Sequence, residues 1–173
     1  MAIISIKNIP IFAVEISSYI MISEHKLKLT YIYLILMKVS AKWVDGYTFI
    51  ASGETNHYTV MDASYETQPA RASTPNELLL QAMAGCTGMD IVSIFKKMKQ
   101  RFTGLEVNIE ASRTNDFPKL FETINMEYVV HGSVDRESLQ KAIDLSMEKY
   151  CNISITLERA GAKVNVASRI ISE

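Results

Sequence analysis

The residues of this chain that are best suited to covalent chemistry are its two cysteines, Cys86 and Cys151. They are 65 positions apart in sequence, so only the fold can bring them together. Two thiols whose Cα atoms lie within about 6 Å can form a disulfide, and a thiolate attacks disulfides and oxidants. The alternative is that both are unreactive core residues, because free cysteine is among the most buried residue types.

The composition argues against several other classes of function. Two cysteines are too few for a disulfide scaffold, and no C-x-x-C or His/Cys cluster indicates a zinc site. The formal net charge is −1, which gives no electrostatic basis for binding nucleic acid or an anionic membrane. The three histidines, His25, His57 and His131, are far apart in sequence and are predicted to be unrelated.

A long helix that carries Cys86 is predicted over residues 73–100. Thr74 is suited to the N-cap, Pro75 to the first helical position, and Glu77 completes an S/T-x-x-E capping box. The residues that follow are apolar nearly all the way round the helix. Since a surface helix keeps a polar stripe, this one is expected to be buried in a core.

Three short strands of alternating polar and apolar residues are predicted before this helix. They span residues 38–44, 47–51 and 57–61. Asp45-Gly46 is a two-residue hairpin signal between the first two strands. Trp43 is expected to be a packing residue on the first. The pattern predicts an antiparallel meander, followed by a loop over residues 62–73 because that segment has no periodicity.

A hairpin, a second helix and closing strands are predicted after the long helix. The hairpin strands span 104–113 and 120–131, and the closing strands span 153–157 and 162–171. The second hairpin strand alternates, and its apolar set is Ile124, Met126, Tyr128 and Val130. Asp135 is a suitable N-cap for the second helix, whose apolar face is Leu139, Ala142, Ile143 and Met147. The fold class is therefore predicted to be α+β.

The local fields at the two thiols are expected to differ. Cys151 is predicted at the C-terminus of the second helix, where the helix dipole disfavours a thiolate. Cys86 lies in mid-helix, where the dipole helps it little, so a low pKa there needs a nearby Arg or Lys. We therefore interpret Cys86 as the attacking thiol and Cys151 as the resolving one.

The first 36 residues differ from the rest in being rich in isoleucine. Charged residues interrupt them, so no window reaches the roughly 20 apolar residues of a membrane span, and no secretory signal is recognisable. They are either an arm that adds strands to a sheet edge or a partner subunit, or the product of a start codon placed before Met37. The predicted organisation is an extension over 1–36 and a single domain over 37–173.

The segments around both cysteines resemble the OsmC/Ohr family, the osmotically inducible and organic hydroperoxide resistance proteins. The matching strings are TPNELLLQAMAGCTGMD (74–90), EKYCNIS (148–154), and KWVDG (42–46) with LFETIN (120–125), the last two being similar to the smaller OsmC-like branch. The spacing from Pro75 to Cys86 matches the family, as does a second cysteine at the end of a later helix. The resemblance covers the chain from about Met37 onward.

The resemblance implies an OsmC/Ohr-like fold and an intertwined homodimer whose long helices lie side by side, with each active site at the interface. It implies a cytoplasmic peroxidase of oxidative-stress defence that prefers organic hydroperoxides to hydrogen peroxide. Cys86 attacks the hydroperoxide and becomes a sulfenic acid, and Cys151 condenses with it to a disulfide. A dihydrolipoyl-type dithiol then reduces the disulfide. No metal or organic cofactor is implied.

One position departs from the family pattern. In the peroxidases a Glu directly after the Pro orients an Arg against the thiolate, and here that position is Asn76. Glu77, one position later, matches a second acidic position seen in parts of the family, although its place in the capping box is the stronger interpretation. Without the Glu, the chain is either a peroxidase or a non-catalytic dimer of the same fold that binds a small apolar ligand or has a structural role.

The cation that would activate Cys86 has three candidates. Arg71 is the only arginine before Cys86, and Lys38 and Lys42 lie on the predicted first strand. Without such a cation Cys86 is expected to be a slow nucleophile.

Overall fold

The structure, a computed structural model, describes residues 37–172, so both interpretations of residues 1–36 lie outside it. The elements in chain order are β1 (Val39–Asp45), β2 (Thr48–Gly53), β3 (Tyr58–Met61), α1 (Pro75–Lys97), β4 (Arg101–Arg113), β5 (Phe121–Ser133), α2 (Arg136–Leu145), a π-helical turn (Ser146–Tyr150), α3 (Asn152–Arg159) and β6 (Lys163–Ile171). This mixture of helices and separate sheets confirms the predicted α+β class.

The described residues form two compact units. One consists of residues 37–42 and Ala51–Thr59, and the other of Trp43–Ile50 and residues 60–172. Both cysteines belong to the second unit. The predicted boundary between an extension over residues 1–36 and a domain over residues 37–173 stays a prediction.

The first sheet has the strand order β1-β2-β3, as expected of a meander. The turn between β1 and β2 consists of Gly46 and Tyr47, one residue later than predicted, and Gly46 has the positive φ of +46° that glycine adopts without strain. The prediction that Trp43 is a packing residue was wrong, because its side chain is 65% exposed. All seven residues of β1 are exposed, and the Trp43 indole N–H donates to the carbonyl of Gly46 at 2.9 Å.

Helix α1 begins as predicted. The Thr74 backbone N–H donates to Glu77 Oε2 at 2.6 Å, and the Glu77 backbone N–H donates to Thr74 Oγ1 at 3.3 Å, which completes the capping box. By length and composition alone α1 could cross a membrane, as the core helices of globular proteins also could. In this structure it packs against β4, α2, the π-helical turn and α3.

The prediction that α1 is buried all round was wrong for the single chain. One face is buried through Met83, Thr87, Ile91, Ile94 and Phe95. Elsewhere on the helix Met89 is 70% exposed and Leu79 is 39% exposed. Because the elements packed against α1 cover one face only, an apolar surface remains on the other.

The second sheet has the order β4-β5-β6 and forms the other wall of the core. β4 and β5 are antiparallel, with Val107 opposite Tyr128, whereas β6 runs parallel to β5, with Val166 opposite Met126. The buried residues of β5 include the predicted apolar set, Ile124, Met126, Tyr128 and Val130. This alternation confirms the predicted face of the hairpin.

The segment after α2 differs from the prediction. α2 itself is confirmed, with Asp135 as N-cap accepting from the Ser138 N–H at 2.8 Å. The strand predicted over 153–157 was wrong, because these residues belong to helix α3. Its isoleucines alternate as in a strand, but the buried positions are Ser154 and Leu157, three residues apart on one helical face.

Candidate active site

Cys86 lies in the middle of α1 and is half-buried with a free thiol. Its sulfur lies 3.9 Å from Oδ1 of Asn152, to which the thiol donates a weak hydrogen bond. Asn152 is the first residue of α3, so the start of α3 faces the thiol of α1.

Cys151 is fully buried between the π-helical turn and α3, also with a free thiol. Its backbone N–H donates to the carbonyl of Ser146 at 2.8 Å, which closes the π-helical turn. Its sulfur accepts from the backbone N–H of Ser154 at 3.4 Å, which makes Cys151 the N-cap of α3. The side chain is therefore held between two helical segments.

The structure corrects the predicted effect of the helix dipole on Cys151. The sequence placed this residue at a helix C-terminus, where negative charge is disfavoured. The structure also places it at the N-terminus of α3, where the Ser154 N–H points at the sulfur and stabilises negative charge on it. The error arose because α3 was interpreted as a strand, which has no comparable dipole.

The fold brings the two thiols together. The pKa of Cys86 is raised to about 11, mainly by burial and then by the neighbouring Cys151 thiol. A hydrogen bond from the Ile153 backbone acts in the opposite direction, whereas the negative charge of Asp90 adds to the increase. The pair is therefore adjacent, and the surroundings of Cys86 favour the protonated thiol.

Two polar residues of the site, Asp90 and Ser146, were missed from the sequence. Ser146 Oγ donates to Asp90 Oδ2 at 2.9 Å, and Ser146 is fully buried. Asp90 follows Cys86 by four residues, so the two side chains lie on one face of α1. The available signal was that Asp90 is the one charged residue in the sequence from residue 78 to residue 95.

Tyr128 lies on the β5 side of the site and is fully buried. Its hydroxyl donates to the sulfur of Met147 at 3.8 Å. Burial raises the pKa of Tyr128 to about 12, and negative charge at Cys151 and Asp90 acts in the same direction. The phenol is therefore neutral near pH 7 and adds no charge to the site.

The arginine proposed to activate Cys86 has other partners in this structure. The Arg71 guanidinium binds the carboxylates of Asp45 and Asp62 and the hydroxyl of Thr48, with Nε 3.1 Å from Asp62 Oδ2. Hydrogen bonding to Asp45 and then to Asp62 raises the pKa of Arg71, and the pKa values of both carboxyls are lowered. The two lysine candidates, Lys38 and Lys42, are exposed and belong to the other unit.

Asn76 and Glu77 lie at the exposed start of α1. Glu77 precedes Cys86 by nine residues, which is about 13 Å along the helix axis. Hydrogen bonding to the Thr74 backbone lowers the pKa of Glu77, so its carboxylate is used at the helix cap. Within residues 37–172 no group of three or more His, Cys, Asp or Glu side chains is placed to bind a metal ion.

Comparisons with known proteins agree with this architecture. The family model described as OsmC-like protein matches residues 68–167. Protein YhfA of Escherichia coli strain K12 is 35% identical over 125 residues, which covers 72% of this chain and 91% of YhfA.

Two solved structures share the fold. A hypothetical protein from Aquifex aeolicus VF5 superposes with a TM-score of 0.72 at 25% identity, covering 80% of this chain and 98% of that one. An organic hydroperoxide resistance protein OsmC from Legionella pneumophila superposes with a TM-score of 0.58 at 14% identity, covering 77% and 96% of the two chains. At this identity the second likeness concerns the fold alone.

Proposed function

Since the chain belongs to the family of OsmC-like proteins, we propose that it is a thiol-dependent peroxidase of oxidative-stress defence in the cytoplasm. Its substrates are organic hydroperoxides and, less well, hydrogen peroxide. The observation that carries the proposal is the position of the Cys86 sulfur, 3.9 Å from Oδ1 of Asn152, the residue next to the buried Cys151. Membership of this family supports a role toward peroxides, and the preference for organic ones is part of the proposal.

The oxidative steps follow from which sulfur is accessible. The half-buried Cys86 attacks the distal oxygen of the hydroperoxide, the O–O bond breaks, and alcohol leaves with the thiol proton. The product at Cys86 is a sulfenic acid. Cys151 then attacks the Cys86 sulfur, water leaves, and a disulfide joins the two residues.

An external dithiol of the dihydrolipoyl type completes the cycle by two thiol exchanges, without a metal or an organic cofactor. The first exchange takes place at Cys86, because Cys151 is fully buried. The Cys151 thiolate that leaves is stabilised by the N–H of Ser154. Both cysteines are thus returned to thiols, and the external dithiol leaves as its own disulfide.

A homodimer is part of the proposal. The exposed apolar residues of α1, such as Leu79 and Met89, suit a second copy of the same helix. Met89 also lines a mostly apolar groove between α1 and β4, together with Ala84, Gly85, Gly88, Val92, Ser93, Lys96, Leu105 and Val107.

The second candidate function is a non-catalytic dimer of the same fold that binds a small apolar ligand or has a structural role. The raised pKa of Cys86 favours it, because the thiolate is the nucleophile and only a small fraction is ionised at neutral pH. The ion pairs of Arg71 also favour the non-catalytic dimer, since the carboxylates of Asp45 and Asp62 already neutralise its charge.

The two functions are distinguished by measuring the consumption of cumene hydroperoxide with dihydrolipoamide as reductant. We expect turnover by the unmodified chain, none by Cys86→Ser, and a single equivalent consumed by Cys151→Ser, whose sulfenic acid is trapped with dimedone. Full activity in Cys86→Ser would remove the peroxidase proposal. Alkylation of both thiols no faster than that of free cysteine, together with no turnover, would support the non-catalytic dimer.

A further inference from the structure

A hydrogen bond between Asp90 and Ser146 joins α1 to the π-helical turn. The Ser146 hydroxyl donates to Asp90 Oδ2 at 2.9 Å, and Ser146 has no exposed surface. A buried hydroxyl bonded to a carboxylate is a stronger contact than one between two neutral groups. The two elements are therefore tied at this point.

The same serine holds Cys151. Its carbonyl accepts from the Cys151 backbone N–H at 2.8 Å, across the five residues that define a π-helical turn. Single π-helical turns occur frequently at functional sites. A continuous path of hydrogen bonds thus runs from the carboxylate of Asp90 through Ser146 to the backbone of Cys151.

The charge of Asp90 does not help Cys86 to react. Burial and the Cys151 thiol raise the pKa of Cys86, and the Asp90 carboxylate, one turn away on α1, adds to the increase. The other titratable group facing this pair is the hydroxyl of Tyr128, which is neutral. The charge of Asp90 therefore opposes formation of the Cys86 thiolate. What the Asp90 carboxylate contributes to the site is the hydrogen bond that it accepts from Ser146.

We propose that Asp90 and Ser146 are positioning residues, which hold the Cys151 sulfur where it meets the Cys86 sulfur and so accelerate disulfide closure. They accelerate closure through the hydrogen bond between them and not through the charge of Asp90. The inference deepens the proposed function, since closure is the step in which Cys151 takes part.

The test uses diamide instead of a hydroperoxide, so it does not depend on peroxidase activity. Diamide takes up the two electrons and two protons lost by the thiols of Cys86 and Cys151 as the disulfide forms. Closure is followed by mass spectrometry on the full chain. We expect Ser146→Ala and Asp90→Ala to close about tenfold more slowly, as loss of a hydrogen bond to a charged group predicts. Asp90→Asn keeps an acceptor oxygen and is expected to close at close to the unmodified rate.

A second readout separates positioning from charge. The rate of Cys86 alkylation by iodoacetamide, measured across a range of pH, is expected to rise about threefold in Asp90→Asn, since a negative charge has been removed. It is expected to stay unchanged in Ser146→Ala, where the carboxylate remains. The double variant of Ser146→Ala and Asp90→Ala is expected to close no more slowly than either single variant, because the two substitutions remove the same hydrogen bond.

The matched controls are Ser138→Ala, which removes a buried hydroxyl of α2 from its hydrogen bond with Gln100, and Asp144→Asn, which removes the charge of an exposed carboxylate of α2 that accepts from Gln140. Both are expected to close at the unmodified rate. Closure at that rate in Ser146→Ala, or equal slowing in Ser138→Ala, overturns the inference. A chain that closes with diamide but consumes no hydroperoxide refutes the peroxidase and leaves this inference standing.

Discussion

The backbone N–H of Ser154 donates a hydrogen bond to the sulfur of Cys151 across 3.4 Å. It gives the fully buried sulfur a donor at the first turn of α3, so negative charge there is stabilised although solvent is excluded. Cys86, by contrast, is the more accessible sulfur and the one whose ionisation is disfavoured. The two thiols of the pair are therefore suited to different steps.

This difference predicts where a reducing thiol attacks the oxidised pair. Treatment of the disulfide form with a small monothiol such as 2-mercaptoethanol is expected to give a mixed disulfide on Cys86, because Cys151 is inaccessible. Mass spectrometry of the alkylated, digested protein locates the adduct. An adduct found mainly on Cys151 contradicts this assignment of the two sulfurs.

The reactivity of Cys86 is predicted to depend steeply on pH. Its pKa is raised to about 11, first by burial, so the thiolate fraction increases about tenfold for each pH unit below that value. The alkylation rate of Cys86 is therefore expected to keep rising beyond pH 8.5, the usual region for a free thiol. Cys151→Ala removes the second cause and is expected to move the midpoint downward.

If the alkylation rate of Cys86 in the unmodified chain instead stops rising at or below about pH 8.5, the thiol ionises more easily than these surroundings predict. That result requires a cation near Cys86 in the working assembly, and Arg71 is then the first residue to test. Arg71→Met, compared with Arg113→Met on the second sheet, shows whether that cation is the one.

The proposed dimer predicts the effect of a charge on the exposed face of α1. Met89 is 70% exposed, so Met89→Glu leaves the fold of the single chain intact while burying an unpaired carboxylate in any interface formed there. Light scattering after size exclusion is expected to show a dimer for the unmodified chain and a monomer for the variant. Val166→Glu, at an apolar position of β6 that is 41% exposed, is the matched control. A chain that is already monomeric removes the dimer from the proposal.

The capping box of α1 predicts a moderate contribution to stability. Thr74→Ala removes the side-chain acceptor for the Glu77 N–H and is expected to cost about 1 kcal/mol of the free energy of unfolding. Thr74→Ser keeps the hydroxyl and is expected to lose little. Urea denaturation measures both, and an equal loss in the two variants indicates that packing of the threonine methyl group matters more than its hydroxyl.

The parts of the fold that the sequence predicts are those set by local chemistry. The cap at Thr74, the cap at Asp135 and the alternation along β5 all depend on residues within a few positions of one another, and all three are confirmed. Pairing of β6 beside β5 depends on contacts about 40 residues apart, which no local pattern contains. Local rules therefore give the elements and leave their arrangement open.

The candidate site was predictable only in part for the same reason. The cysteines are recognisable by type, but the bond from Ser146 to Asp90 joins residues 56 positions apart. The environment of Cys151 was misjudged because alternating isoleucines fit a strand as well as one turn of a helix. The exposure of Trp43 could not be predicted, because an aromatic residue in a strand does not indicate whether another element packs against that face of the strand.

The π-helical turn makes the chain tolerant of a change of length at one place. It uses five residues for a single turn, whereas an α-helix uses about four, so removing one residue between Ser146 and Tyr150 leaves an ordinary helical turn that closes on the same carbonyl of Ser146. The segment after it then keeps nearly its direction, and Cys151 stays beside α1. A chain shorter by one residue in this segment can therefore still join its two cysteines.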